Sequence, residues 1–250
     1  MLWDILQYGL YATKIAPGAE TVPYLIVALL AAVAYLLGSI NSAVLLSRLL
    51  YREDIREKGS GNAGLTNMLR VYGKKAALLT LFGDLFKTVL AVLIAGVFCG
   101  FSYLKALSFS PMCWIAALFC VIGHIKPIYY RFRGGKGVLC AATAILVLSP
   151  PVFLVLILSF ILLVWLTRYV SLGSITAAFL LPLSLQGYMQ AFIFTGDEQG
   201  FYDAGIMLFG VIFAAIVILC HRKNIGRLWR HEENKLSFGK KDKGGTTGGK

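Results

Sequence analysis

Between residues 23 and 220 one apolar stretch follows another, and several are long enough to cross a ~30 Å hydrocarbon core. Only 14% of the 250 residues are charged, against about 25% in a soluble domain. The pattern predicts an all-α, polytopic membrane bundle of about seven transmembrane helices, near 23–50, 76–100, 112–125, 137–150, 151–168, 171–194 and 202–220. The third and fourth are short for full spans, which implies tilt or a helix that stops inside the bundle. Pro150 and Pro151 separate the fourth from the fifth almost without a loop, so these two form a tight hairpin. The expected organisation is an N-terminal interfacial segment (1–22), the seven-helix domain (23–220), a C-terminal motif (221–238) and a flexible basic tail (239–250).

The formal net charge is +12. In a soluble protein that balance suggests nucleic acid. Here no zinc-finger spacing or RNP signature accompanies it, and the charge follows the positive-inside rule. With the N-terminus outside, 21 of the 24 Lys and Arg residues fall on the cytoplasmic side; only Lys14 and Lys105 fall outside, and Lys87 lies within a span. The acidic loop 195–203 suits the outer face. Residues 1–20 lack the pattern of a cleavable signal and read as an interfacial helix with Trp3, Tyr8 and Tyr11 at headgroup level. The five cysteines sit in apolar segments, form no CxxC pair and read as small buried hydrophobes.

Under this topology three polar segments share the cytoplasmic side. The first is the glycine-punctuated run Gly59-Ser60-Gly61-Asn62-Ala63-Gly64-Leu65-Thr66-Asn67-Met68-Leu69-Arg70. Such groups are costly near lipid unless paired or facing water. The second is Gly123-His124-Ile125-Lys126-Pro127 followed by Phe132-Arg133-Gly134-Gly135-Lys136-Gly137. Glycines expose backbone N–H donors, and a lysine at a helix N-terminus makes an anion site; a plain basic turn is the alternative. The Walker A spacing is absent. The third is His221-Arg222-Lys223-Asn224-Ile225 with Arg227; His221, Asn224 and Arg227 share a face if the segment is helical. His124, before Pro127, pins a helix end, and His231 is solvated. Asp84 and Lys87, at i and i+3 inside the second span, form a structural ion pair or line the site wall. Ser60 lacks a GxSxG elbow, and neither His124 nor His221 belongs to an HxxxxD pair. It therefore reads as a hydrogen-bond donor rather than a nucleophile. No HExxH-type metal spacing occurs.

These motifs, in this order, resemble the bacterial acyl-phosphate:glycerol-3-phosphate acyltransferase (PlsY) family over about residues 22–238, including Glu233-Asn234-Lys235-Leu236. The resemblance implies a seven-helix bundle in the bacterial plasma membrane with a cytosolic site. It implies transfer of a fatty acyl group from acyl phosphate to the 1-hydroxyl of glycerol 3-phosphate, giving lysophosphatidic acid and phosphate. Carried over by motif, Ser60, Asn62, Asn67, Arg70, His221 and Asn224 are catalytic. Gly134, Gly135, Lys136 and Gly137, with Thr66 and Arg227, bind substrate phosphate. Asp84, Lys87, His124 and Glu233 give structural support. No metal or other cofactor and no nucleic acid is expected; the partners are the two substrates and membrane lipid. The sequence departs from the family at Lys126, where an aromatic is common, at His231, in place of the usual glycine, and at Thr88, where glycine is common.

The chemistry agrees with the residues. Acyl phosphate is already activated, so the acceptor hydroxyl needs positioning and charge stabilisation more than covalent catalysis. The reading from another class is an organic-anion transporter, which shares a basic site and broken helices. A transporter wants its site near the midplane, whereas these motifs cluster at one interface and no internal repeat is visible.

Overall fold

The computed structural model describes residues 22–98, 111–192 and 199–236. All the described regular structure is helical: α1 (Val22–Ser39), α2 (Ser42–Tyr51), α3 (Leu65–Tyr72), α4 (Lys74–Phe98), α5 (Pro111–Ile125), α6 (Val138–Leu148), α7 (Pro150–Thr167), α8 (Val170–Phe192), α9 (Gln199–Cys220) and α10 (Arg222–Trp229). Short 3₁₀ turns at Ile55–Glu57 and Ile128–Tyr130 stiffen two of the connections. The expected interfacial segment with Trp3, Tyr8 and Tyr11, the position of Lys105, the acidic residues Asp197 and Glu198, Cys99 and the tail 239–250 lie outside the described residues.

Each of the seven apolar stretches is helical, but they do not all cross a bilayer alone. Five helices or continuous helix pairs are long and apolar enough, and a sixth span is counted if α9 and α10, bent by 59°, are taken together. The exception is α6, whose 11 residues rise only about 16 Å. It stops within the bundle, and a single residue, Ser149, joins it to Pro150 at the start of α7. Proline suits that first helical position because the N–H it lacks would have no helical acceptor there.

Helix α5 is central, packed against α1, α4, α6 and α9. Its seam with α1 is close enough to require glycine on both sides. A Cβ on Gly38 would strike the backbone of Cys120, and one on Gly123 would strike the backbone of Tyr35 and Ser39. Small residues allow helix backbones to approach in lipid, where hydrophobic burial no longer drives association. Trp114 of α5 fills the junction with α9, packed against Phe209 and Phe213. Thr88 fits on α4 because its hydroxyl donates to Asp84 O at 2.8 Å and lies 3.7 Å from Cys120 Sγ.

The first span is interrupted at Ile40–Asn41, which its apolar character did not predict. Asn41 caps α2, its Oδ1 accepting from Val44 N at 3.0 Å. The successive spans alternate in direction. Consequently the C-terminal ends of α2, α5, α7 and α9 and the N-terminal ends of α3, α4, α6 and α8 meet at one end of the bundle, as the contacts below record.

Candidate active site

The first polar loop is built around two side chains. Asp54 caps the 3₁₀ turn by accepting from Arg56 N at 3.0 Å, and it pairs with Arg56 at 2.6 Å and Arg48 at 2.9 Å. The Arg56 guanidinium holds the Asp54 carboxyl well below the usual carboxylate range, outweighing burial. Asn67, 1% exposed, spends its whole amide on the loop: Oδ1 accepts from Ser60 N at 2.9 Å, and Nδ2 donates to Ile55 O and Lys58 O. A side chain at Gly59, whose φ is +58°, would collide with that Asn67 oxygen. Ser60 is thereby presented at the surface, and among the described residues its hydroxyl has no hydrogen-bond partner. Asn62 and Thr66 are half-buried at the start of α3, and Arg70 lies one turn beyond Thr66 on the same face, exposed.

Arg56 fastens the second loop to the first, donating to Tyr130 O at 2.8 Å and Arg133 O at 3.0 Å. Here the structure corrects one expectation. The N–H groups of Gly134 and Gly135 are not free for an anion: they donate to Ile125 O and His124 O, both at 3.1 Å, closing the end of α5. The two glycines serve close approach instead. A Cβ on Gly134 would strike His124 O; one on Gly135 would strike His124 Nε2 and approach Ala63 O. The donors that remain are the amides from Lys136 to Cys140, which have no backbone acceptor among the described residues, at the N-terminus of α6.

Lys136 is half-buried, and its ammonium donates to Asn224 Oδ1 at 2.5 Å. Burial pushes its pKa down to about 8, with Glu233 opposing the shift and Arg227 and Arg70 adding to it. Asn224 is buried in α10, and its Nδ2 donates to Glu233 Oε1 at 2.8 Å, which fixes the amide with its oxygen toward Lys136. Glu233 also accepts from Arg227 at 2.7 Å and Ser171 at 3.1 Å. Burial alone would raise the Glu233 pKa, but Arg227, Asn224 and Ser171 together hold it below the ordinary carboxylate value. His231 turns the chain toward Glu233 with φ +57°, a conformation that glycine adopts more readily than other residues. Lys126 is exposed; its backbone N–H donates to Ile122 O at 2.8 Å and its backbone oxygen accepts from Tyr35 at 2.8 Å.

His221 is buried at the bend between α9 and α10. Its Nδ1 lies 2.7 Å from Val217 O; a carbonyl only accepts, so Nδ1 carries a proton. In the neutral ring Nε2 is then an unprotonated acceptor, and among the described residues no protein group bonds to it.

The remaining polar residues, Asp84, Lys87 and His124, form a separate buried cluster. Ligand atoms of Asp84, His124 and Cys140 lie within 4.8 Å of one another, a spacing that suits a metal ion. Lys87 Nζ sits among them, however, 2.8 Å from Asp84 Oδ1 and 3.0 Å from His124 Nδ1. A cationic nitrogen already holds that position.

The structure thus joins the three sequence motifs at one end of the bundle, the first to the second through Arg56 and the second to the third through Lys136. Arg56, Asp54, Asn41 and Ser171 were not singled out from the sequence. Only Asn41 carried a visible signal, as a polar residue next to Ser42 within an apolar span.

Residues 28–231 match the family model for glycerol-3-phosphate acyltransferase. A curated glycerol-3-phosphate acyltransferase of Syntrophomonas wolfei is 41% identical over 210 residues, covering 84% of this chain and 97% of its own. That of Chlorobaculum tepidum is 39% identical over 228 residues, covering 84% and 96%. Among solved structures, the glycerol 3-phosphate form of PlsY, an integral membrane glycerol 3-phosphate acyltransferase, aligns with a TM-score of 0.71 at 32% identity, covering 85% of this chain and 96% of that one. The lysophosphatidic acid form of the same protein aligns with a TM-score of 0.69 at 31% identity.

Proposed function

This chain belongs to the glycerol-3-phosphate acyltransferase family, an integral membrane acyltransferase by descent, and we propose that it takes its acyl group from acyl phosphate and passes it directly to glycerol 3-phosphate. The observation that carries this reading is the Lys136 site. A half-buried ammonium, with a neutral amide as its side-chain partner, stands beside a helix N-terminus whose amides have no backbone acceptor among the described residues. That is a receptor for phosphate dianions, and both proposed substrates are phosphate monoanions or dianions.

In this reading Lys136 and the amides that open α6 hold one phosphate, and Thr66, Arg70 and Arg227 approach the other. Gly134, Gly135 and Gly137 let the loop pass close to its neighbours. The 1-hydroxyl of glycerol 3-phosphate attacks the acyl carbonyl, the C–O bond to phosphate breaks, and inorganic phosphate leaves with the electron pair. His221 Nε2, an unprotonated acceptor, takes the hydroxyl proton or orients that hydroxyl. Ser60 donates a hydrogen bond to the reacting group; among the described residues no base or orienter bonds its hydroxyl, so it is a poor candidate for a covalent nucleophile. Asn67 shapes the Ser60 loop, Asn62 borders it, and Asn224 and Glu233 aim Lys136.

The lysine and arginine asymmetry supports a cytosolic site, an external N-terminus and residence in the bacterial plasma membrane. The four-part division of the chain proposed from its sequence is kept with this reading, its C-terminal motif being the part that completes the site. Purified protein offered glycerol 3-phosphate with acyl phosphate, acyl-CoA or acyl carrier protein as donor tests the reading. Lysophosphatidate is expected from acyl phosphate alone. Equal or faster turnover with a thioester would overturn the donor assignment.

A further inference from the structure

We propose that Lys87, buried in α4, is a positioning residue for substrate phosphate: its ammonium closes the break in the first span and sets both polar loops. The proposal rests on the reading of those loops given above.

A break inside a membrane span releases carbonyls that no helical N–H covers, and lipid offers them no water. Lys87 Nζ donates to two of them, Gly38 O at 3.0 Å and Ile40 O at 2.8 Å. The same nitrogen meets Asp84 Oδ1 at 2.8 Å and His124 Nδ1 at 3.0 Å. Three oxygens for three N–H donors, with His124 Nδ1 beside them, make a coordination shell, and a lysine replaces the metal ion that Asp84, His124 and Cys140 could otherwise hold. An ordinary ion pair one helical turn apart would need only Asp84. Ser42, just past the break, also bonds Asp84 at 2.9 Å, so the cluster grips both sides of the interruption.

Two links lead from this shell to the loops. Asn41, at the break, donates from Nδ2 to Ala63 O at 3.3 Å, in the middle of the first loop. The His124 ring meets the same ammonium through Nδ1, 3.0 Å away, which leaves Nε2 on the opposite side of the ring. That Nε2 lies against the Cα of Gly135, and the backbone oxygen of His124 accepts from Gly135 N. Because a Cβ on Gly135 would also approach Ala63 O, both links end where the two loops touch. Removing the ammonium frees the break, the His124 ring and both loops together.

Calorimetric titration of glycerol 3-phosphate into the detergent-solubilised full chain tests this, with KM and kcat measured on the same preparations. Lys87→Met keeps the side chain's length without its charge. Its Kd and KM should rise about tenfold or more, with kcat falling by less than KM rises. Lys87→Ala should show the same defect, and ethylammonium, which restores a cation to the shell, should reverse it in part. General loosening of the bundle would give neither the KM-dominated loss nor the amine rescue. If neither Lys87 variant is recovered folded, Asn41→Ala, which cuts one link, decides: weaker binding supports the proposal and unchanged binding overturns it. Wild-type protein that binds while Lys87→Met binds equally well overturns this inference alone. Wild-type protein that binds no glycerol 3-phosphate overturns the functional reading and this inference with it.

Discussion

Two lysines of this protein stand beside carboxylates, and they are built for opposite tasks. Lys87 is enclosed by three oxygen acceptors, one of them the Asp84 carboxylate in direct contact, and by His124 Nδ1, and its side chain is 5% exposed. Lys136 has one acceptor, the neutral oxygen of Asn224, and the nearby carboxylate of Glu233 is spent on Arg227, Asn224 and Ser171. The first ammonium is saturated and has nothing left for a ligand. The second is under-satisfied, which burial makes costly and which a phosphate relieves. A buried cation thus acts as a fixed strut or as a receptor according to how many acceptors the fold supplies before substrate arrives.

The sharpest way to break this contrast is to remove each charge in turn. Lys136→Met should lower kcat/KM for glycerol 3-phosphate by about 10³-fold or more while the protein remains folded, because it deletes the cation that faces substrate. Its thermal midpoint should move less than that of Lys87→Met, whose loss exposes released carbonyls and an unpaired Asp84; the reverse ranking would mean the roles are exchanged. Ser60→Ala, outside both lysine sites but on the same surface, should cost about 10²–10³-fold in kcat, as loss of one stabilising donor does. A mutant with near wild-type kcat would remove Ser60 from the reacting centre.

Gly135→Ala tests the contact between the two regions. The added methyl meets His124 Nε2 and Ala63 O, so the phosphate loop must shift while the reacting atoms lie elsewhere. KM for glycerol 3-phosphate should rise about tenfold with kcat within a small factor; a collapse of kcat at constant KM would contradict the loop's assignment. The smallest effect expected is on pH dependence. Burial holds the free Lys136 pKa at about 8, so its side chain is cationic below that and neutral above it. The substrate phosphate becomes a dianion above about pH 6. KM for glycerol 3-phosphate should therefore be lowest between these limits and climb a few-fold as pH passes 8, while kcat at saturation changes less because bound dianion restores the charge. A KM flat to pH 9.5 would remove Lys136 from the phosphate contact.

The helical bundle was legible because lipid leaves a chain few choices: long apolar runs must satisfy their own backbone, and all seven runs are helical over their described residues. The convergence of the three polar segments was legible from charge asymmetry alone. What the sequence concealed was of two kinds. The break at Ile40–Asn41 depends on an ammonium from another helix, and no local pattern in 22–51 announces a partner that distant. The use of the Gly134 and Gly135 N–H groups was misread because glycine favours both an exposed amide and a close backbone approach; the position of α5 decides for the second. Asn67 is a similar case. A motif position identifies it, and only its three hydrogen bonds reveal that the whole side chain shapes the loop.

The central claim is that an activated donor and a positioned acceptor react directly, with no acyl group parked on the protein. Initial rates measured over a grid of acyl phosphate and glycerol 3-phosphate concentrations, paired with a trap for labelled acyl protein when glycerol 3-phosphate is withheld, test it most directly. Intersecting double-reciprocal lines and unlabelled protein are expected. Parallel lines with acyl label on Ser60 would contradict the claim and establish double-displacement transfer in its place.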